Sequence, residues 1–225
     1  MDVDLNRKPA FYITKRALSK VVVGMERIIT GTVPYMVTSY PEPKSKLEIW
    51  AVSGYLEPLS AVLRLNAFDI ETGMEVELTE EDRERKVLLK RNGTTEIGEL
   101  SIPSADSTVI VAYLDDAKTG EQLARWVDWP EPLKFVLFKK GVEVKVDVGV
   151  EKDGKVEVRI SADAPVKGVV LSVDMGEEGQ DAVWEDNFVD LVPGEVIAIG
   201  VVGLKGRKVK ARWLGDWEGE EGFEL

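Results

Sequence analysis

The chain has 225 residues, with 29 Lys and Arg against 41 Asp and Glu, a formal net charge of −12, and neither histidine nor cysteine. That negative field repels nucleic acid and anionic lipid headgroups, so neither is an expected partner. The missing residue types exclude Ser-His-Asp and Cys-His nucleophile systems, disulfides and the common zinc sites, leaving carboxylates, Lys or Tyr for any chemistry.

In chain order, the first element is a short helix. Asn6 suits its cap, Pro9 its first turn, and Ala10, Phe11, Ala17 and Leu18 one apolar side. At Val21-Val22-Val23 the apolar period changes from helical to alternating. Strands are expected near 21–28, 46–52, 60–69, 87–89, 96–101 and 108–114, with turns at Glu71-Thr72-Gly73 and Asn92-Gly93. The mixed-sign run from Glu80 to Lys86 reads as a solvated loop or an exposed helical turn.

Trp129-Pro130-Glu131-Pro132 reads as the domain boundary, because two prolines in three residues oppose both helix and central strand and stiffen a connection. Beyond it, the valines at 142, 144, 146, 148 and 150 alternate with Glu143, Lys145, Asp147 and Gly149. Asp153-Gly154 then turns the chain into Val156, Val158 and Ile160, a hairpin with one buried face. Further strands are expected near 168–173, 184–191, 195–202 and 208–213. The fold class is therefore all-β: a helical leader (1–20), a first β-sandwich (21–130) and a C-terminal immunoglobulin-like sandwich (131–225). The longest nearly apolar stretch, from Val196 to Leu204, is far shorter than the roughly 20 residues that span a bilayer. With no secretory signal read at the N-terminus, a cytoplasmic location is expected. Four Asn and two Gln beside 31% charged residues suggest a heat-adapted source.

Four stretches, in order, carry a resemblance. They are Asn6 to Tyr12 with Lys15-Arg16-Ala17-Leu18; Leu47 to Val52 with Leu56-Glu57-Pro58; Glu96 to Leu100 through Leu123-Ala124-Arg125 to Leu133; and Asp186-Asn187-Phe188-Val189-Asp190-Leu191-Val192-Pro193-Gly194-Glu195. Together they resemble the non-catalytic region that follows the catalytic barrel in glycoside hydrolase family 2, especially its β-mannosidase and exo-glucosaminidase branch. Val189 departs from the family, which usually has a second aromatic there. The resemblance implies that the leader corresponds to the exit helix of the barrel, with Phe11, Tyr12 and Leu18 docking between barrel and sandwich. In isolation these residues are expected to pack on the first sandwich, to fray or to promote self-association. It also implies two catalytic carboxylates about 5 Å apart on the barrel, the acid/base within an Asn-Glu dipeptide. Here the four asparagines precede Arg7, Ala67, Gly93 and Phe188, so no catalytic residue carries over.

The expected role is that of accessory domains supporting such a barrel, with a free-standing carbohydrate-binding module as the alternative. Two readings meet at the last stretch. In one, Asn187 and Asp190 bond nearby backbone amides, Phe188 and Leu191 fill the core, and Pro193-Gly194 makes a tight turn. In the other, Trp184, Asp186 and Asn187 form a sugar-facing edge, since an aromatic face stacks on a pyranose while amide and carboxylate bond its hydroxyls. Trp213 and Trp217 are the tryptophans expected to stay partly exposed. The acidic residues Asp174, Glu177, Glu178 and Asp181 lack a calcium-loop pattern, so no metal and no cofactor is expected.

Overall fold

A computed structural model describes residues 7–30, 44–102, 107–174 and 182–216. The chain divides into two compact units, Leu18–Leu137 and a second made of Met1–Ala17 together with Phe138–Leu225. Helix α1 (Pro9–Ala17) thus belongs with the far end of the chain, although Asn6, its expected cap, lies outside the described residues. Among the described residues, no helix is long and apolar enough to cross a membrane.

The first unit holds β1 (Val21–Thr30), β2 (Lys44–Ser53), β3 (Leu59–Asp69), β4 (Glu75–Val76), the short helix α2 (Glu80–Arg83), β5 (Glu84–Leu89), β6 (Gly93–Ile102), β7 (Thr108–Asp116) and β8 (Gln122–Asp128). One sheet runs β1-β2-β6; the other runs β4-β3-β7-β8, with β5 also paired to β3. Alternate residues face the space between the sheets, so Val21, Val23, Leu47, Ile49 and Ala51 pack with Leu63, Leu65, Ile110 and Leu114 in one apolar core. The charged run at 80–86 is a capped helical turn entering β5, with the Thr79 hydroxyl accepting from the Asp82 amide at 3.2 Å. Strand β8 was not among the expected elements. It is an edge strand in which Leu123, Ala124 and Arg125 are half-covered in succession, which blurs the alternation that reveals a buried face.

Each sheet contributes an edge strand to a buried ion pair. Arg27 of β1 donates from Nε and Nη2 to Asp128 Oδ2 of β8 at 2.8 and 2.5 Å, and Nη2 also reaches the Thr108 carbonyl at 2.8 Å. The two side chains are 6% and 9% exposed. The arginine therefore links two sheets that share no backbone ladder.

The second unit holds β9 (Val144–Val148), β10 (Lys155–Ala162), β11 (Val166–Val173), β12 (Val183–Trp184), β13 (Val189–Leu191), β14 (Ile197–Val202) and β15 (Val209–Leu214). Its sheets are β12-β14-β10-β9 and β13-β11-β15, the four-on-three arrangement of an immunoglobulin-like sandwich. The β9–β10 hairpin turns at Asp153 (φ 50°) and Gly154 (φ 78°), both left-handed as a type I′ turn requires. Its buried face is shorter than the alternation implies. β9 ends at Val148 and has a neighbour on one side only, so Val148 and Val150 stay exposed while Val142, Val144 and Val146 pack on the core.

The expected strand 184–191 is two strands in different sheets. β12 pairs with β14 and β13 with β11, and residues 185–188 carry the chain across between the sheets. Phe188 sits at φ 53° and its amide, like that of Leu171, donates to Asn187 Oδ1, so local side-chain bonds replace ladder bonds at the crossing.

Candidate functional site

The crossing at 185–188 and helix α1 form one connected construction. Asn187 is 5% exposed, and its amide group closes a two-way bond to the backbone of Leu171: Oδ1 accepts from Leu171 N, and Nδ2 donates to Leu171 O, both at 2.8 Å. Asp186 Oδ1 accepts from the Asn187 amide at 2.8 Å. Asp190 accepts from the Gly168 amide at 2.8 Å and pairs with Lys167 at 2.9 Å. Gly168 has φ 65°, and a Cβ there would meet the Phe188 ring at 2.8 Å, so the ring is seated on bare backbone at the irregularity in β11.

Downstream, the Glu195 amide bonds the Val192 carbonyl at 3.4 Å, and Gly194 lies at φ 79° with nothing near its absent Cβ. This is a turn closed by glycine alone. Gly194→Val is expected to destabilise the second sandwich by about 1–3 kcal/mol through backbone strain without any steric clash. Thermal melts of the two proteins test this, and an unchanged midpoint contradicts it.

Helix α1 locks onto the same loop. Arg16 donates to Asp186 Oδ1 at 2.5 Å, to Asn187 O at 3.1 Å and to Phe188 O at 2.9 Å. Lys15 reaches Glu185 O at 2.6 Å and Arg7 reaches Trp184 O at 3.1 Å. Four carbonyls between Trp184 and Phe188 therefore receive cations from a segment some 170 residues earlier in the chain. Tyr12, 3% exposed, joins Trp184, Val158, Leu171 and Leu191 in the core of the second sandwich, with the Phe11 ring edge-on to it at 5.3 Å.

The six residues singled out in the sequence separate accordingly. Trp184 is 2% exposed, so its ring is core and not a face for a pyranose, while Asp186 and Asn187 bond the loop and α1. Tyr12 is core to the second sandwich, not the first. Phe11, 40% exposed, and Leu18 remain outward. Trp213 packs against the second core, and Trp217, Glu177, Glu178 and Asp181 lie outside the described residues. Sequence reasoning gave no role to Arg16, Lys15 and Arg7: Lys15 and Arg16 lie in the last turn of the helix, where cations satisfy its own dipole in most helices, Arg7 precedes the helix, and nothing local marks a distant partner.

The donors and acceptors of this construction are spent on backbone groups and on one another, as in a structural joint within a pair of immunoglobulin-like domains. Residues 45–134 match the family model described as a Mannosidase Ig/CBM-like domain, and residues 140–214 match an Ig-fold domain of the mannosidase type. The chain belongs to this mannosidase Ig-domain family and corresponds to the C-terminal, non-catalytic region of β-mannosidase-type glycoside hydrolases. It is 36% identical over 225 residues to beta-mannosidase B of Thermothelomyces thermophilus and 34% identical over 226 residues to that of Aspergillus niger. In both cases the match covers 96% of this chain and 25% of the relative, so the chain spans about a quarter of the length of these curated relatives. Among solved structures, β-D-mannosidase from Dictyoglomus thermophilum superposes with a TM-score of 0.68 at 18% identity, covering 92% of this chain and 23% of that one. An exo-chitosanase of Amycolatopsis orientalis does so with a TM-score of 0.53 at 13% identity, covering 94% and 27%. At these identities the superpositions speak for the fold.

Proposed function

We propose that this chain is the accessory part of a β-mannosidase-like hydrolase and that it seats a catalytic barrel through helix α1. The observation that carries the proposal is the division of labour on the helix. One side is spent on the second sandwich through Tyr12 and Arg16. Phe11 and Ile13, on the two flanks of that side, remain exposed, with the Arg7 guanidinium 4.8 Å from the Phe11 ring centroid. Apolar surface of this kind on a helix fixed to its own domain is suited to a partner. The implied partner is the barrel, whose exit helix α1 resembles.

The test uses the full chain and a separately produced barrel polypeptide encoded upstream or beside it. The chain alone is expected to leave aryl β-mannoside and aryl β-glucosaminide intact, and to bind the barrel polypeptide at micromolar concentration. Phe11→Ser/Ile13→Ser should weaken that binding about tenfold or more, since burying two such side chains contributes roughly 1.5–3 kcal/mol each. Turnover by the repurified chain overturns the non-catalytic reading; failure to bind the barrel, or binding indifferent to the double substitution, overturns the docking role.

A further inference from the structure

The Trp184 ring of the expected sugar-facing edge is inside the core, but the first sandwich carries a different aromatic surface, on the outer face of the β1-β2-β6 sheet. Ile49 and Ala51 point into the core, so Trp50 between them points out. Its cross-strand neighbours are Gly24 on β1 and Glu96 on β6. A Cβ built on Gly24 would lie 2.7, 2.8 and 2.9 Å from Trp50 Cε2, Nε1 and Cζ2. Near-equal distances to three atoms of the indole mean that the ring lies flat on the glycine, one face down on the sheet and the other turned away from it. Any residue larger than glycine at position 24 would lift it.

Around this ring the polar groups are unspent. The indole N–H finds no acceptor among the described residues, and Glu96 and Glu26, both exposed, make no ion pair among them. Farther along the face, Lys46 does pair, with Glu99 at 2.7 Å and Glu48 at 3.0 Å, and its hydrogen bonds to Glu99 and then Glu48 raise its pKa. Val52 adds an exposed apolar shoulder beside Trp50. A flat aromatic plate, one free N–H donor and two free carboxylate acceptors at its margin are the complement of a pyranose, which offers an apolar C–H face ringed by hydroxyls.

We infer that Trp50, Glu96 and Glu26 form a binding site for neutral β-linked oligosaccharides, with a sugar ring stacked on the indole and its hydroxyls donating to the carboxylates. The net charge of −12 selects against uronic-acid chains. This site is independent of the docking role of α1. The two tests share no residue.

Calorimetric titration of the full chain with β-1,4-mannohexaose, cellohexaose and an oligogalacturonate tests the inference. Binding of at least one neutral hexasaccharide in the low millimolar range or tighter is expected, with none of the oligogalacturonate. Trp50→Ala should weaken binding ~10-fold or more and Trp50→Tyr should restore part of it, because the contact depends on a ring and not on that residue's size alone. Glu96→Gln, at an exposed position, should weaken binding severalfold by removing the charged acceptor. Circular dichroism melts identify any variant that fails to fold. No neutral sugar bound at about 10 mM, binding unchanged in Trp50→Ala and Glu96→Gln, or preference for the anionic chain overturns the inference.

Discussion

Arg27→Met is expected to destabilise the first sandwich by about 3–5 kcal/mol, the loss typical when one member of a buried ion pair is removed. The size follows from what is left behind. Asp128 stays almost fully covered, its Oδ2 loses both guanidinium bonds, and the Thr108 carbonyl loses its bond to Nη2. A buried carboxylate that loses its guanidinium bonds keeps its charge without the water that would solvate it. The domain then opens at the junction of β1 and β8, where no ladder hydrogen bonds substitute for the arginine. Peptide-level hydrogen exchange reads the effect directly: protection in β1, β7 and β8 should collapse while β10 and β14 keep theirs. A companion variant, Arg27→Met/Asp128→Leu, should recover most of the loss, since an apolar pair of similar volume leaves no charge unpaired. A single substitution costing under about 1 kcal/mol would show that Asp128 is solvated, contrary to its burial.

Tyr12→Ala is expected to cost the second sandwich about 3–5 kcal/mol and the first almost nothing, in the range for truncating a large buried aromatic. By sequence Tyr12 lies next to β1, yet its ring fills the core among Val158, Leu171, Trp184 and Leu191. Removing it leaves a cavity lined by both sheets of that sandwich and loosens α1, whose remaining grip is the Arg16, Lys15 and Arg7 bonds to loop carbonyls. Those bonds are partly exposed and compensate little. Hydrogen exchange should therefore rise across β10, β11 and β14, with β2 and β3 unchanged, and Tyr12→Phe should retain most of the stability. Loss of protection in β1 and β2 instead would mean that α1 belongs to the first sandwich, as its position in the chain suggests.

The sequence by itself determined the all-β class, two successive sandwiches after a short helix, the hairpin turn at Asp153-Gly154 and the family to which the chain belongs. Each of these rests on something local. Side chains alternate with period two along a strand, glycine or Asp-Gly accepts positive φ, and a run such as Asp186 to Glu195 is legible without knowing its surroundings. Tertiary structure alone decided that α1 completes the second sandwich, that Trp184 is core while Trp50 lies flat on a sheet surface, that 184–191 crosses between sheets, and that Arg27 meets Asp128. Those outcomes join residues 101 to 177 positions apart, or depend on which face of a strand a second sheet happens to cover. An exposed-looking arginine and a buried one have the same neighbours in sequence; only the closing of the sandwich over Asp128 removes the water that would otherwise have made the pair nearly worthless.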